Sequence, residues 1–180
     1  MTDATAPPAR RAPRPLDSQS LDALAVRYVA RYATTAAKLR TYLKRKIGER
    51  GWTGEGPVVD TVVTRCIDSG FIDDRAFAET RSAALARRGY GARRVAQSLS
   101  AAGIDRATIA ELVPDADAAL AAAERFAQRR HLGRFGPPNV SRTVQHRQFA
   151  AMVRAGHSFA HARAFLTPNM SDLELDNNEC

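Results

Sequence analysis

Apolar residues stand at matching distances from two glycines in this chain, and that pattern constrains its fold more than any other feature. Leu99 lies four residues before Gly103, and Ile109, Leu112 and Val113 lie six, nine and ten after it. Met152 lies four before Gly156, and Ala162, Phe165 and Leu166 follow it at the same three offsets. Steps of three and four are helical, and a glycine between two such stripes is a helix stop. The pattern predicts an all-α fold, an elongated tandem array of three three-helix, helix-turn-helix-like units. Units this small bury little alone, so each is expected to cover its neighbour's stripe.

The rest of the chain fits that plan. Leu21, Leu24, Ala25 and Tyr28 form a first stripe, a Thr34-Thr35 break follows, and Leu39, Tyr42, Leu43 and Ile47 form a second. A glycine-rich loop is expected over Gly48–Gly56, with Trp52 in it and Pro57 at the first position of the next helix. Val59, Val62, Val63, Cys66 and Ile67 then run to Gly70 with helical rather than strand spacing. A long helix is expected from Asp74 to Arg88 with Phe77, Ala84 and Leu85 inward. A shorter one starts at Ala92, and Asp105 caps a third. The last set runs from Asp115 to His131, then from Ser141 to Gly156, then from a Ser158 cap to Pro168. The expected boundaries are a Pro- and Arg-rich arm over 1–16, three-helix sets over 17–72, 73–114 and 115–167, and an acidic tail over 168–180.

Charge narrows the function classes. The net charge is +8, but Asp172, Glu174, Asp176 and Glu179 make the last fourteen residues −4, and the first sixteen are +2. The body therefore carries +8 − 2 + 4 = +10, which favours a polyanion or an acidic protein face as partner. Two cysteines, Cys66 and Cys180, make neither a disulfide framework nor a metal knuckle and suit a reducing compartment. No apolar run is long enough to span a membrane, and the N-terminus lacks a secretory h-region.

The segment Gly70–Arg94 joins an acid-started helix to a glycine turn bracketed by arginines. Asp73 or Asp74 is placed to cap the first turn and complement the helix dipole. Gly89 and Gly91 flank Tyr90, with Arg87, Arg88, Arg93 and Arg94 on either side. No nucleophile, phosphate-cradling loop or metal cage accompanies them, so the segment points to binding rather than catalysis. His157 and His161 have zinc-like i, i+4 spacing but no third ligand nearby, so no metal and no cofactor is expected.

Gly70-Phe71-Ile72-Asp73-Asp74, Ala76-Phe77-Ala78-Glu79 and Ala86-Arg87-Arg88-Gly89-Tyr90-Gly91-Ala92-Arg93-Arg94-Val95 together resemble the signature of the bacterial RecX regulatory proteins. The upstream helix pair with Tyr42-Leu43 and the C-terminal repeat fit too, so the resemblance spans Leu21 to Leu166. The Gly48–Pro57 loop, the front arm and the acidic tail depart from the family pattern. The resemblance implies a cytoplasmic, non-enzymatic helical array that binds in the groove of the RecA–DNA filament. It implies restraint of RecA's strand exchange, ATP hydrolysis and co-protease activity in DNA repair and the SOS response. Single- or double-stranded DNA is a further implied partner, and a monomer is expected.

Three basic surfaces are candidates for that contact. Arg81, Arg87, Arg88, Arg93 and Arg94 form the first, with Tyr90 either exposed for a partner or tucked into its own bundle. Guanidinium forks suit phosphate or carboxylate with two hydrogen bonds. Lys38, Arg40, Lys44, Arg45 and Lys46 beside Tyr42 form a second, and Arg125, Arg129 and Arg130 a third; a solvated face is the plainer reading of both. A rival function is a stand-alone helix-turn-helix-like DNA-binding protein or transcription factor, which would bind duplex with a sequence preference and leave RecA unaffected.

Overall fold

The computed structural model describes residues 14–56 and 58–166. Expectations for the front arm before Arg14, for Pro57 and for the acidic tail lie outside the described residues. Those residues are helical, without a strand, as α1 (Ser18–Arg31), α2 (Ala36–Arg50), α3 (Val59–Asp68), α4 (Asp74–Arg87), α5 (Ala92–Ser100), α6 (Arg106–Leu112), α7 (Ala116–Arg130), α8 (Arg142–Arg154) and α9 (Phe159–Leu166). None of these helices is long and apolar enough to cross a membrane.

The starts are set by short polar side chains. Asp17 and Ser20 form a reciprocal capping box at α1, with Ser20 N–H donating to Asp17 at 2.8 Å and Asp17 N–H to Ser20 Oγ at 2.9 Å. Thr35, Asp105, Asp115 and Ser141 accept amides in the first turns of α2, α6, α7 and α8, and Ser158 accepts the His161 amide at 3.1 Å. Four of the stops, those of α3, α4, α5 and α8, share one device. Gly70, Gly89, Gly103 and Gly156 take positive φ of 71°, 77°, 80° and 93°, the left-handed turn that only glycine adopts without strain. The residue after each reaches back to a carbonyl five before it: Phe71 to Cys66, Tyr90 to Leu85, Ile104 to Leu99 and His157 to Met152, at 2.9–3.2 Å. These are Schellman closures.

The chain divides into two compact units, 1–73 and 74–180. In the first, α1, α2 and α3 close over Leu21, Ala25, Leu39, Leu43, Val59, Val62, Val63, Cys66 and Ile72. Three expectations need correction there. Leu16, read as part of the arm, is fully buried, its N–H donating to Gly51 O at 3.0 Å and its O accepting from Thr53 N at 2.8 Å. Gly48 lies inside α2, which runs to Arg50, so the glycine-rich loop starts at Gly51. Ile67, assigned to the apolar stripe, is 44% exposed, because it falls about a quarter-turn from the centre of the face that buries Val59, Val62, Val63 and Cys66.

The second unit holds two helix sets. α4, α5 and α6 pack around Ala78, Leu85, Val95, Leu99, Ala102 and Ile104. α7, α8 and α9 pack around Ala123, Phe126, Ala127, Met152, Ala155, Ala162, Phe165 and Leu166. Leu99 and Met152, both fully buried, occupy equivalent points of the two sets.

Candidate functional site

The arginine-bracketed turn is built from the end of α4 and the start of α5. The Schellman closure on Gly89 halts α4 just after Arg87, and Gly91, at an ordinary φ of −76°, stands at the N-cap of α5. Arg87 and Arg88 therefore leave one side of the turn, and Arg93 and Arg94 the first turn of α5. All four side chains are exposed, and none takes part in an ion pair with a described residue.

The turn itself is held by the neighbouring helix set. Gly91 N–H donates to Ala155 O at 2.9 Å, and Arg93 N–H donates to Gly156 O at 3.2 Å. A side chain at Gly91 would collide with the Gly156 backbone, and one at Gly156 with the Arg94 backbone. Gly89 is equally tight: a β-carbon there would sit 2.9 Å from Phe126 N. His157, 2% exposed, completes the clasp by placing Nε2 3.0 Å from Gly89 O. Its Nδ1 is buried with no hydrogen-bond partner. Burial pushes its pKa below the ordinary histidine value, the Gly89 hydrogen bond works the other way, and the charge of His161 adds to the lowering.

Tyr90 is half-buried and packs against both helix clusters of this unit, its ring 6.4 Å from Phe126, with the Arg88 guanidinium 5.4 Å over it. Of the two placements open to it in the sequence, the tucked one holds. Because Gly156 O already accepts the Arg93 amide, the start of α5 is no open anion cradle. An anionic partner would meet guanidinium forks instead. Neither acid nor side-chain cap offsets Arg93 and Arg94 at the positive end of that helix, so a negative partner would relieve an unfavourable field.

The other candidate residues are placed differently. Arg81 donates to Ser98 Oγ at 3.0 Å, tying α4 to α5. In the first unit Arg40 is held by Asp60 at 2.5 Å, and Arg45 and Lys46 share Glu49 at 2.5 and 2.7 Å, while Lys44 is exposed. Lys38 is exposed on the first turn of α2. Arg125, Arg129 and Arg130 are exposed on α7, with Arg130 over Phe126 at 5.7 Å. Sequence reasoning missed Ala155, Gly156 and His157 as the holders of the turn. One signal existed: His157 stands one residue after Gly156, where Ile104 stands one after Gly103.

Residues 73–112, which carry the turn and all five arginines of the first surface, match the family model for the second three-helix domain of RecX. A regulatory protein RecX of Myxococcus xanthus is 30% identical to this chain, across 87% of it and 89% of the relative. The chain belongs to the RecX family. A Mycobacterium RecX is 38% identical over 93 residues, 51% of this chain and 49% of the relative. The fold agrees with two RecX crystal structures. That of Lactobacillus salivarius RecX covers 82% of this chain and 92% of its own, with a TM-score of 0.59 at 16% identity. The second has a TM-score of 0.58 at 18% identity, covering 79% and 70%. The curated relatives carry the name of regulatory proteins, and no catalytic family is indicated.

Proposed function

We propose that this RecX-family chain is a non-enzymatic regulator that binds the RecA–DNA filament in the cytoplasm and restrains RecA's ATP hydrolysis, strand exchange and co-protease activity. The observation that carries the reading is the presentation of Arg87, Arg88, Arg93 and Arg94, four exposed cations without described counterions, on a turn whose backbone is held at 2.9–3.2 Å by the next helix set. A rigid cationic corner suits carboxylates of a protein groove or phosphates beside it. The resemblance to the RecX family supports RecA as that partner, and the segment matched by the family model coincides with this corner.

The direct test is single-stranded-DNA-dependent ATP hydrolysis by RecA, titrated with the protein at sub-stoichiometric ratios. Hydrolysis is expected to fall. Replacing the four arginines together by alanine is expected to weaken filament binding by about tenfold or more, with the helical circular dichroism retained. Unchanged hydrolysis and strand exchange in the presence of folded protein would overturn the proposal. Duplex binding with a sequence preference would then favour the helix-turn-helix rival.

A further inference from the structure

Three of the chain's four tyrosines converge in the first unit, in a stretch whose charged residues are all basic. From Asp22 to Glu49 no other acidic residue occurs, while Arg27, Arg31, Lys38, Arg40, Lys44, Arg45 and Lys46 fall between them. Tyr28 and Tyr32 lie one turn apart on α1 and at its end, and Tyr42 comes from α2. The Tyr28 and Tyr42 rings stack with centroids 4.2 Å apart and planes 21° from parallel, and Tyr32 leans on Tyr28 at 5.2 Å. The inner pair is half-buried and fastens α1 to α2, but Tyr32 is 49% exposed.

Cations surround this stack. The Arg31 guanidinium lies 5.5 Å from the Tyr32 centroid, and Arg45 and Lys46 lie 5.6 and 5.9 Å from that of Tyr42. Glu49 engages Arg45 and Lys46, and Asp60 engages Arg40. Arg27 and Arg31 are exposed and take part in no ion pair among the described residues, whereas Lys44 faces Asp60 with Arg40. A solvated basic face has no use for an exposed ring continuous with a stacked pair. A partner with flat π faces and regularly spaced negative charge uses both features. An acidic protein face offers charge without a regular series of flat rings, and duplex DNA keeps its bases stacked inside.

We propose that the Tyr28–Tyr32–Tyr42 stack and the bases around it form a binding platform for single-stranded nucleic acid, with a base laid on Tyr32 and the backbone phosphates on Arg27 and Arg31. Stacking on an aromatic side chain tolerates any base, so the platform is sequence-tolerant, and its phosphate contacts make it salt-sensitive. It does not rest on the recombinase reading.

The test uses the full chain and a labelled oligothymidylate alone, followed by fluorescence anisotropy at low salt. Tyr32→Ala is expected to weaken binding by about tenfold, whereas Tyr32→Phe and Tyr32→Trp retain it. Arg27→Ala with Arg31→Ala is expected to flatten the dependence of affinity on salt. An abasic deoxyribose-phosphate strand of equal length is expected to bind more weakly than the oligothymidylate. The proposal is overturned if folded Tyr32→Ala binds like the parent, if the abasic strand binds equally well, or if polyglutamate competes as effectively as the oligonucleotide. Because RecA is absent, failure here leaves the regulatory reading standing, and success does not by itself support it.

Discussion

His157 puts a polar ring where the preceding helix set has Ile104, and both are buried, at 2% and 7% exposure. The ring gains a hydrogen bond to Gly89 O at 3.0 Å, but only its neutral form suits the site, because a proton on the buried Nδ1 would find no acceptor. Its folded pKa lies below the ordinary value of 6.5, with burial the first cause. The unfolded chain therefore binds the proton more readily. The stability from neutral His157 is complete above about pH 6.5 and drains away as pH falls toward the folded pKa, with a slope no steeper than about 1.4 kcal/mol per pH unit. Asp17, Asp60 and Asp105 are held below the usual carboxylate value, chiefly by hydrogen bonds from Ser20, Arg40 and Thr108, so their contributions are lost only at lower pH. Urea midpoints between pH 5 and 7.5 are expected to rise with pH in the parent, and His157→Leu is expected to flatten that rise. A slope that survives the substitution would assign it elsewhere. The neighbouring glycine makes a second residue-scale argument. Gly91 has an ordinary φ of −76°, so alanine suits its backbone, yet an added β-carbon would collide with Gly156. Gly91→Ala is expected to cost about 1–3 kcal/mol in chemical denaturation, the usual penalty for overpacking.

At the scale of the element, the same substitution changes sign with its surroundings. Gly48 lies inside α2, and nothing stands within 4 Å of the point an alanine methyl would occupy. Gly48→Ala is therefore expected to stabilise the first unit by about 0.5–1 kcal/mol, read as a raised midpoint of its unfolding. A loss would mean that the helix needs its flexibility there. The pair of glycines also separates what was legible in the sequence from what was not. Helix starts at Asp105, Ser141 and Ser158 and stops at Gly70, Gly89, Gly103 and Gly156 were legible, because a cap involves residues three to five apart and leaves a local trace. The core positions Leu99 and Met152 were legible for the same reason, through periodicity. The approach of Gly91 to Gly156 was not, since it joins turns of two helix sets and neither φ nor spacing marks its partner. Leu16 was misplaced because its burial rests on Gly51 and Thr53, contacts that a proline-rich context conceals. For the candidate surface, the arginines were legible as a cluster, but the clasp that presents them was visible only in three dimensions.

For the whole molecule the governing quantity is how charge is divided along the chain. The described helices carry the cations, and Asp172, Glu174, Asp176 and Glu179 give the last fourteen residues −4 against a body of +10. A covalently attached acidic segment is an intramolecular competitor at high effective concentration for any polyanion that the basic surfaces attract. Deleting 167–180 raises the net charge from +8 to 8 + 4 = +12. The truncated chain is expected to bind a single-stranded oligonucleotide several-fold more tightly at low salt, since long-range attraction grows with net charge. With a Debye length of about 10 Å at 0.1 M ionic strength and about 3 Å at 1 M, the advantage is expected to shrink as salt rises until the two titrations coincide. Anisotropy titrations of both chains across a salt series measure this directly. Equal affinities at low salt would show that the tail's charge does not reach the basic surfaces. A gap that persists undiminished at high salt would mean that the tail acts through a specific contact rather than through its field.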